Sequence, residues 1–275
     1  MSWSEWTPQY AAQHDPATGP ATTSPTPTSR QNGGMPNPAL LAISHGTSSP
    51  EGQAAVSALV AAVAERLPDV TVRLGHVDVQ QPDVAASLDA LPDDQPVVLV
   101  PLLLSAGYHV RIDLKEQIAG RGDITITPAL GPDDRLVDAL VARLEPIAPE
   151  DAEAIVLAVA GSSDERANDD CREIARRLGA RLGREVAVGF LAAAEPRLGA
   201  AVETARAAAS GRVVVANYLL APGYFHDLAV RLSGDAPVAR PLLDDDAPAR
   251  ALVDLVVDRY QGAIASARET ATRPA

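Results

Sequence analysis

One set of sequence landmarks occurs twice in this chain, in the same order, and that repetition narrows the possible folds more than any other feature. In the first set, Ala39-Leu40-Leu41-Ala42-Ile43 runs into Ser44-His45-Gly46-Thr47. Val70 to Leu74 runs into Gly75-His76, with Pro82 beyond it. Val97-Val98-Leu99-Val100 then precedes Leu103-Leu104-Ser105-Ala106-Gly107-Tyr108. In the second set, Ala154 to Val159 runs into Ala160-Gly161-Ser162-Ser163, and Val186-Ala187-Val188-Gly189-Phe190 is followed by Pro196. Val213-Val214-Val215 precedes Leu219-Leu220-Ala221-Pro222-Gly223-Tyr224. The unbroken apolar runs among these, such as Ala39 to Ile43 and Val97 to Val100, read as strands buried on both faces.

The segments between them carry the helical period. Ser49 caps and Pro50 opens a helix with Val56, Leu59, Val60, Val63 and Leu67 on one face. Val84, Leu88 and Leu91 mark a helix after Pro82, and another starts near Arg111. Ile124-Thr125-Ile126 is a fourth strand, followed by a helix with Leu136, Val137, Leu140, Val141 and Leu144. In the second set the helices carry Cys171, Ile174, Leu178 and Leu182, then Leu252, Val253, Val256, Val257 and Tyr260. Alternation of this kind predicts an α/β fold of two tandem domains, each a parallel sheet with helices on both faces. The domains span 38–148 and 152–264, with the boundary between Pro146 and Asp151. Residues 1–37 are rich in Pro, Thr, Ser, Gln and Gly and are expected to be a disordered tail. Residues 265–275 are expected to be a second tail.

Composition excludes several functions. The net charge of −13 argues against nucleic acid and against an anionic membrane surface. An anionic substrate therefore needs local cations; Lys115 is the one lysine, so arginine must supply most of them. The single cysteine, Cys171, rules out an internal disulfide and a CxxC site. The most apolar run, Val97 to Leu104, is too short to span a bilayer. The amino terminus lacks the basic start and apolar stretch of a signal peptide, so a cytoplasmic location is expected. No HExxH, GxSxG, GxxxxGK[ST] or GxGxxG pattern is present. A phosphohistidine phosphatase is disfavoured because Ser44, not arginine, precedes His45.

Sites on parallel sheets form at the carboxyl ends of strands. Here those ends carry His45, the stretch from Gly75 through His76 to Asp78, and the stretch from Gly107 to His109. Two imidazoles and a carboxylate can hold a divalent first-row ion and leave positions open.

Ser44-His45-Gly46-Thr47, then Gly75-His76-Val77-Asp78 with Pro82, then Pro101 to Asp113 around Gly107-Tyr108-His109, together resemble the class II tetrapyrrole chelatases of the sirohydrochlorin branch. The resemblance spans roughly 39–264. It implies chelatase-like domains, with His45 and His109 binding the metal and taking part in its insertion. Asp78 falls where the family usually has glutamate; it either ligates directly, or acts through water or by orienting a histidine. His76 falls where the family has an apolar or aromatic residue, and is either an added ligand or a rim or partly buried histidine. The resemblance implies a sirohydrochlorin-type tetrapyrrole as partner and a divalent metal, Fe2+ or Co2+, as co-substrate without an organic cofactor. Sirohydrochlorin bears eight carboxylates. Arg111 and Lys115 are candidate clamps for them, or else a solvated helix face, and the helix start at Ser48-Ser49 offers backbone N–H groups. In the second half, Ala160 and Ala192 stand at the first histidine and acid positions, and His226 follows its glycine with one extra residue. That half is expected to have lost independent metal chemistry and to form the other wall of a cleft, with His226 either facing it or structural. One chain then supplies both walls, so a monomer is expected. A non-catalytic metal or tetrapyrrole carrier on the same fold is the alternative.

Overall fold

A parallel strand covered by helices above and below can be apolar at every position, and β1 (Ala39–Ser44) is buried along its whole length. The computed structural model describes residues 37–105, 114, 118, 122–147, 154–209 and 211–272. After β1 come α1 (Pro50–Arg66), β2 (Val72–His76), α2 (Val84–Asp89), β3 (Val97–Pro101), β4 (Ile124–Ile126) and α3 (Asp134–Leu144). The second half contains β5 (Ala154–Val159), α4 (Glu165–Leu182), β6 (Val186–Phe190), α5 (Leu198–Ala208), β7 (Val213–Tyr218), α6 (Tyr224–Leu232) and α7 (Arg250–Thr272). The helix predicted near Arg111 lies largely outside the described residues.

Both sheets are parallel, in the orders β2-β1-β3-β4 and β6-β5-β7. Register makes the duplication concrete. Ile43 pairs with Gly75 and Pro101, and Ala158 pairs with Gly189 and Asn217. His45 therefore corresponds to Ala160, and Pro101 to Asn217. The counterpart of β4 is reduced to a single bridge between Val215 and Val238.

Side chains alternate across each strand. Leu41, Ile43 and Leu99 face a cluster with Val84 and Leu88 of α2, whereas Leu40, Ala42, Val98 and Val100 face the other way. Likewise Val156 and Ala158 pack on Leu198, Ala201 and Val202 of α5, while Ile155, Leu157 and Val159 face the opposite side. The two opposite sides share one core, which also takes in α1, α3, α4 and α7. The closing helices cross over: α3 packs on β7 and α7 on β3. Residues 36–275 accordingly form one compact unit. α7 also continues to Thr272, past Ile264, where the sequence reading begins a tail. Ala265, Ala267, Arg268 and Glu269 are good helix formers, which favours continuing the helix over this stretch.

Polar contacts sew the crossover. Tyr218 donates its hydroxyl to Leu104 O at 3.1 Å, and Arg259 donates to Ala129 O and Leu130 O at 3.0 and 2.9 Å. Arg143 pairs with the buried carboxylate of Asp244 and donates to Leu242 O at 3.0 Å. Tyr260, buried on α7, donates to Pro38 O at 2.5 Å just before β1. Burial pushes its phenol up to about 12, against a smaller opposing pull from Arg268. A raised phenol pKa stabilises the fold below the unfolded value, near 10, and that contribution disappears as pH rises through about 12. Tyr260→Phe is therefore expected to cost about 1 kcal/mol at neutral pH. The gap to wild type should shrink across the alkaline window, as read by urea unfolding at pH 7 and above pH 10.

Candidate functional site

The loops after β1 and β2 are zipped together by their backbones. Val77 N–H donates to Ser44 O at 2.9 Å and Asp78 N–H to His45 O at 3.0 Å. Gly46 sits at φ +93°, and a Cβ there would lie 2.0 Å from Asp78 O, so this close approach needs glycine. Gln80 N–H returns to Asp78 O at 2.7 Å around Val79 at φ +65°, a γ-turn of the rare positive-φ kind. The side chain of Gln80 accepts from Thr47 N–H at 2.9 Å, and Gln53 on α1 donates to Thr47 O at 2.8 Å. The turn bearing His45 is thus held from both sides, while the His45 side chain is exposed. Asp78 is exposed beside it and accepts from Val79 N–H at 2.7 Å.

The second half repeats this scaffold without the chemistry. Leu191 N–H donates to Val159 O, Ala192 N–H to Ala160 O and Ala194 N–H to Ala192 O, at 2.9, 2.9 and 2.7 Å. Gly161 lies at φ +85° with its Cβ position 2.0 Å from Ala192 O, and Ala193 lies at φ +57°. Pro82 and Pro196 both follow cis peptide bonds. Strained backbone is kept twice; imidazole and carboxylate are kept once.

His76 is interior. It is 4% exposed, and its Nδ1 lies 2.8 Å from Ser44 Oγ across the β1–β2 register. Burial lowers its pKa, favouring the neutral ring. Ser49 caps α1: its Oγ accepts from Gly52 N–H at 3.2 Å and donates to Glu51 at 2.8 Å, and Ser48 is exposed just before it. His226 sits in the first turn of α6, half-buried, with Nδ1 2.8 Å from Asn217 Nδ2. His109, Arg111 and Lys115 lie outside the described residues.

The two halves meet beside His45. A Cβ at Gly223, the residue before α6, would lie 2.9 Å from Thr47 Oγ1, and one at Gly52 would lie 2.2 Å from Pro222 O. Sequence reasoning missed Gln80, which pins Thr47, and Asn217, which holds His226. A signal for Asn217 was present: it is the lone strongly polar residue in the run Val213 to Tyr218, at the position Pro101 takes in the first half.

Among the described residues, Asp244, Asp245 and Asp246 are the acidic or imidazole side chains that gather three ligand atoms within 4.8 Å. Arg240 pairs with all three and Arg143 with Asp244, so each of these carboxylates is already engaged by a guanidinium. His45, His76 and Asp78 do not form such a triplet by themselves. No helix among the described residues is long and apolar enough to cross a membrane.

Two parallel sheets flanked by helices and sharing one core give a chelatase-like α/β fold, and solved structures agree. SirB from Bacillus subtilis with Fe3+ superposes with a TM-score of 0.69 at 20% identity, covering 85% of this chain and 98% of that one. CbiX, described as the terminal enzyme of sirohaem biosynthesis in denitrifying bacteria, gives 0.59 at 20% identity over 82% and 99%. The CbiX family model matches residues 39–147 and 154–233, more than half of the chain. A sirohydrochlorin ferrochelatase of Priestia megaterium is 29% identical over 196 residues, 67% of this chain and 74% of that protein. A sirohydrochlorin cobaltochelatase of Methanococcoides burtonii is 30% identical over 82 residues, 28% of this chain and 60% of that protein. This chain belongs to the CbiX family, the sirohydrochlorin chelatases.

Proposed function

We propose that this protein inserts a divalent metal into sirohydrochlorin, Fe2+ on the way to sirohaem or Co2+ toward cobalamin. The observation that carries the reading is the one-sided site. The exposed imidazole of His45 is tied by its backbone to the loop of Asp78, whereas the same backbone in the second half bears only Ala160 and Ala192. The relatives named as ferrochelatase and cobaltochelatase support the same substrate and leave the choice of metal between them.

Insertion removes two N–H protons from the free-base ring and exchanges the ligands of the ion for four ring nitrogens. Each requirement has a counterpart in this chain. His45 and His109 hold the ion as neutral imidazoles, which release it more readily than thiolates would. As each ring gives up the ion, its freed nitrogen lone pair accepts one of the two departing protons. Asp78 lies alongside as ligand or as a water-mediated contact. His76, buried and bonded to Ser44, supports the strand end beneath His45. Arg111 and Lys115, with the N–H group at Ser48, bind substrate carboxylates, whereas Ser49 N–H, also expected to do so, is taken by Thr47 Oγ1 at 3.1 Å. The second half closes the cleft, so one chain acts alone, in the cytoplasm.

The test is an absorbance assay with sirohydrochlorin and Fe2+, Co2+ or Ni2+. Insertion changes the tetrapyrrole spectrum, and initial rates rank the metals. Tetrapyrrole binding with no spectral change on adding any of the three ions would instead establish a carrier.

A further inference from the structure

Asn217 is a costly residue to keep. It is 0% exposed at the carboxyl end of β7, and its Oδ1 is the buried side-chain oxygen or nitrogen without a hydrogen-bond partner among the described residues. A stranded acceptor of this kind costs stability. The first half has Pro101 at the same register, so the fold does not demand an amide there. What Asn217 does is hold His226, with Nδ2 2.8 Å from the ring Nδ1.

The chemistry of that contact fixes the ring. With the amide nitrogen turned toward the ring, Nδ1 is the acceptor of this contact and the ring proton falls on Nε2. Among the described residues, the present amide orientation leaves Oδ1 and one N–H without a partner, and the reverse orientation would leave both N–H groups without one. The two ring nitrogens diverge, so with Nδ1 directed at the strand, Nε2–H leaves the packed interior of this half-buried residue. Burial also lowers the imidazole pKa, against a smaller opposing effect from Asp227, which favours a neutral ring. The first turn of α6 has no side-chain cap, since Gly223 precedes it, and Gly223 abuts Thr47, two residues from His45.

We propose that Asn217 is a positioning residue that locks His226 in its Nε2–H form, a fixed donor for one carboxylate of the tetrapyrrole at the uncapped start of α6. A neutral donor suits this place. It orders a carboxylate on the wall opposite the ion without adding a second metal ligand. This inference rests on the chelatase reading and extends it to the wall that bears no metal chemistry.

Nitrogen-15 NMR of the protein without substrate reads the tautomer directly and needs no activity. The expected result is a proton on Nε2 of His226 in wild type and a tautomer mixture in Asn217→Leu. Proton on Nδ1 in wild type overturns the proposal. The second arm measures KM for sirohydrochlorin alongside thermal stability. Asn217→Leu is nearly isosteric and removes the stranded oxygen, so its melting temperature should equal or exceed that of wild type. Its KM should nevertheless rise, toward the tenfold or greater increase, about what loss of a hydrogen bond to a charged group gives, expected of His226→Ala. In both variants the loss should fall on KM rather than kcat, and His226→Gln, which keeps an N–H donor, should recover most of it. A purely structural pair predicts the opposite pattern: lower stability with KM unchanged. Wild type that binds sirohydrochlorin no more tightly than His226→Ala does overturns the inference alone. Wild type that neither binds nor metallates sirohydrochlorin overturns the chelatase reading and this inference with it.

Discussion

Replacing His45 by alanine is expected to lower kcat/KM for metal insertion by roughly 10²- to 10⁴-fold, the range associated with loss of a positioned acid–base group. The melting temperature should move by no more than about 2 °C, as for other substitutions at exposed positions. The two expectations separate because the loop and the ring have different jobs. The loop is held by backbone bonds to Asp78, by Gln80 on Thr47 N–H and by Gln53 on Thr47 O, none of which uses the imidazole. The ring stands exposed at the carboxyl end of β1, where an ion and a flat macrocycle can both reach it. His109→Ala should fall in the same activity range, because insertion requires the ion to be held and two protons to leave. Insertion within tenfold of wild type in either variant would remove that residue from the reaction. A large drop in melting temperature for His45→Ala would show that the ring braces the fold.

The strands β1, β3 and β5 were legible because parallel β-structure covered on both faces leaves an unbroken apolar run, while the edge strands β2, β4 and β6 are only partly covered. The duplication was legible for the same reason. The exchange of closing helices was not. The period of Leu136, Val137, Leu140 and Leu144 says that α3 buries one face, but nothing in the period says that the face meets β7 rather than β3. His76 read as a ligand or as a rim or partly buried histidine because it ends a strand. It is buried because Ser44 faces it in register, and because its backbone N–H bonds Pro82 O as the following loop closes over the strand end. The loop geometry that carries His45 was legible only as a glycine. That Gly46 approaches the Asp78 carbonyl, and that Val79 takes a positive φ to allow it, arises from contact between two loops distant in sequence. Asn217 illustrates the reverse case: a polar residue in an apolar strand is visible in the sequence, but its partner is not.

Gly46→Ala and Gly161→Ala form a matched pair that isolates this geometry from its chemistry. Each new Cβ would lie 2.0 Å from a backbone oxygen, of Asp78 in one case and Ala192 in the other, at φ +93° and +85°. A backbone oxygen cannot swing aside as a flexible side chain can. Asp78 O is held by Gln80 N–H and Ala192 O by Ala194 N–H, both at 2.7 Å. Relief therefore requires the two loops of a half to separate, and each substitution should cost roughly 3 kcal/mol or more. That corresponds to a fall in melting temperature of about 6–12 °C for a chain of this size. Stability alone should not distinguish the variants, since their backbones are copies of each other. Activity should. In Gly46→Ala the displaced loops carry His45 and Asp78, and a shift of about 1 Å in reacting groups can cost about 10²-fold. In Gly161→Ala the displaced loops carry Ala160 and Ala192, so the folded protein, assayed well below its melting temperature, should insert metal within about threefold of wild type. Equal activity losses would mean that both halves grip the reacting centre. Retained activity in Gly46→Ala would mean that the ion does not depend on the loop bearing His45. The predicted asymmetry, equal damage to the fold and unequal damage to the reaction, follows only if the duplicated backbone is a shared scaffold and the metal chemistry resides on one copy of it.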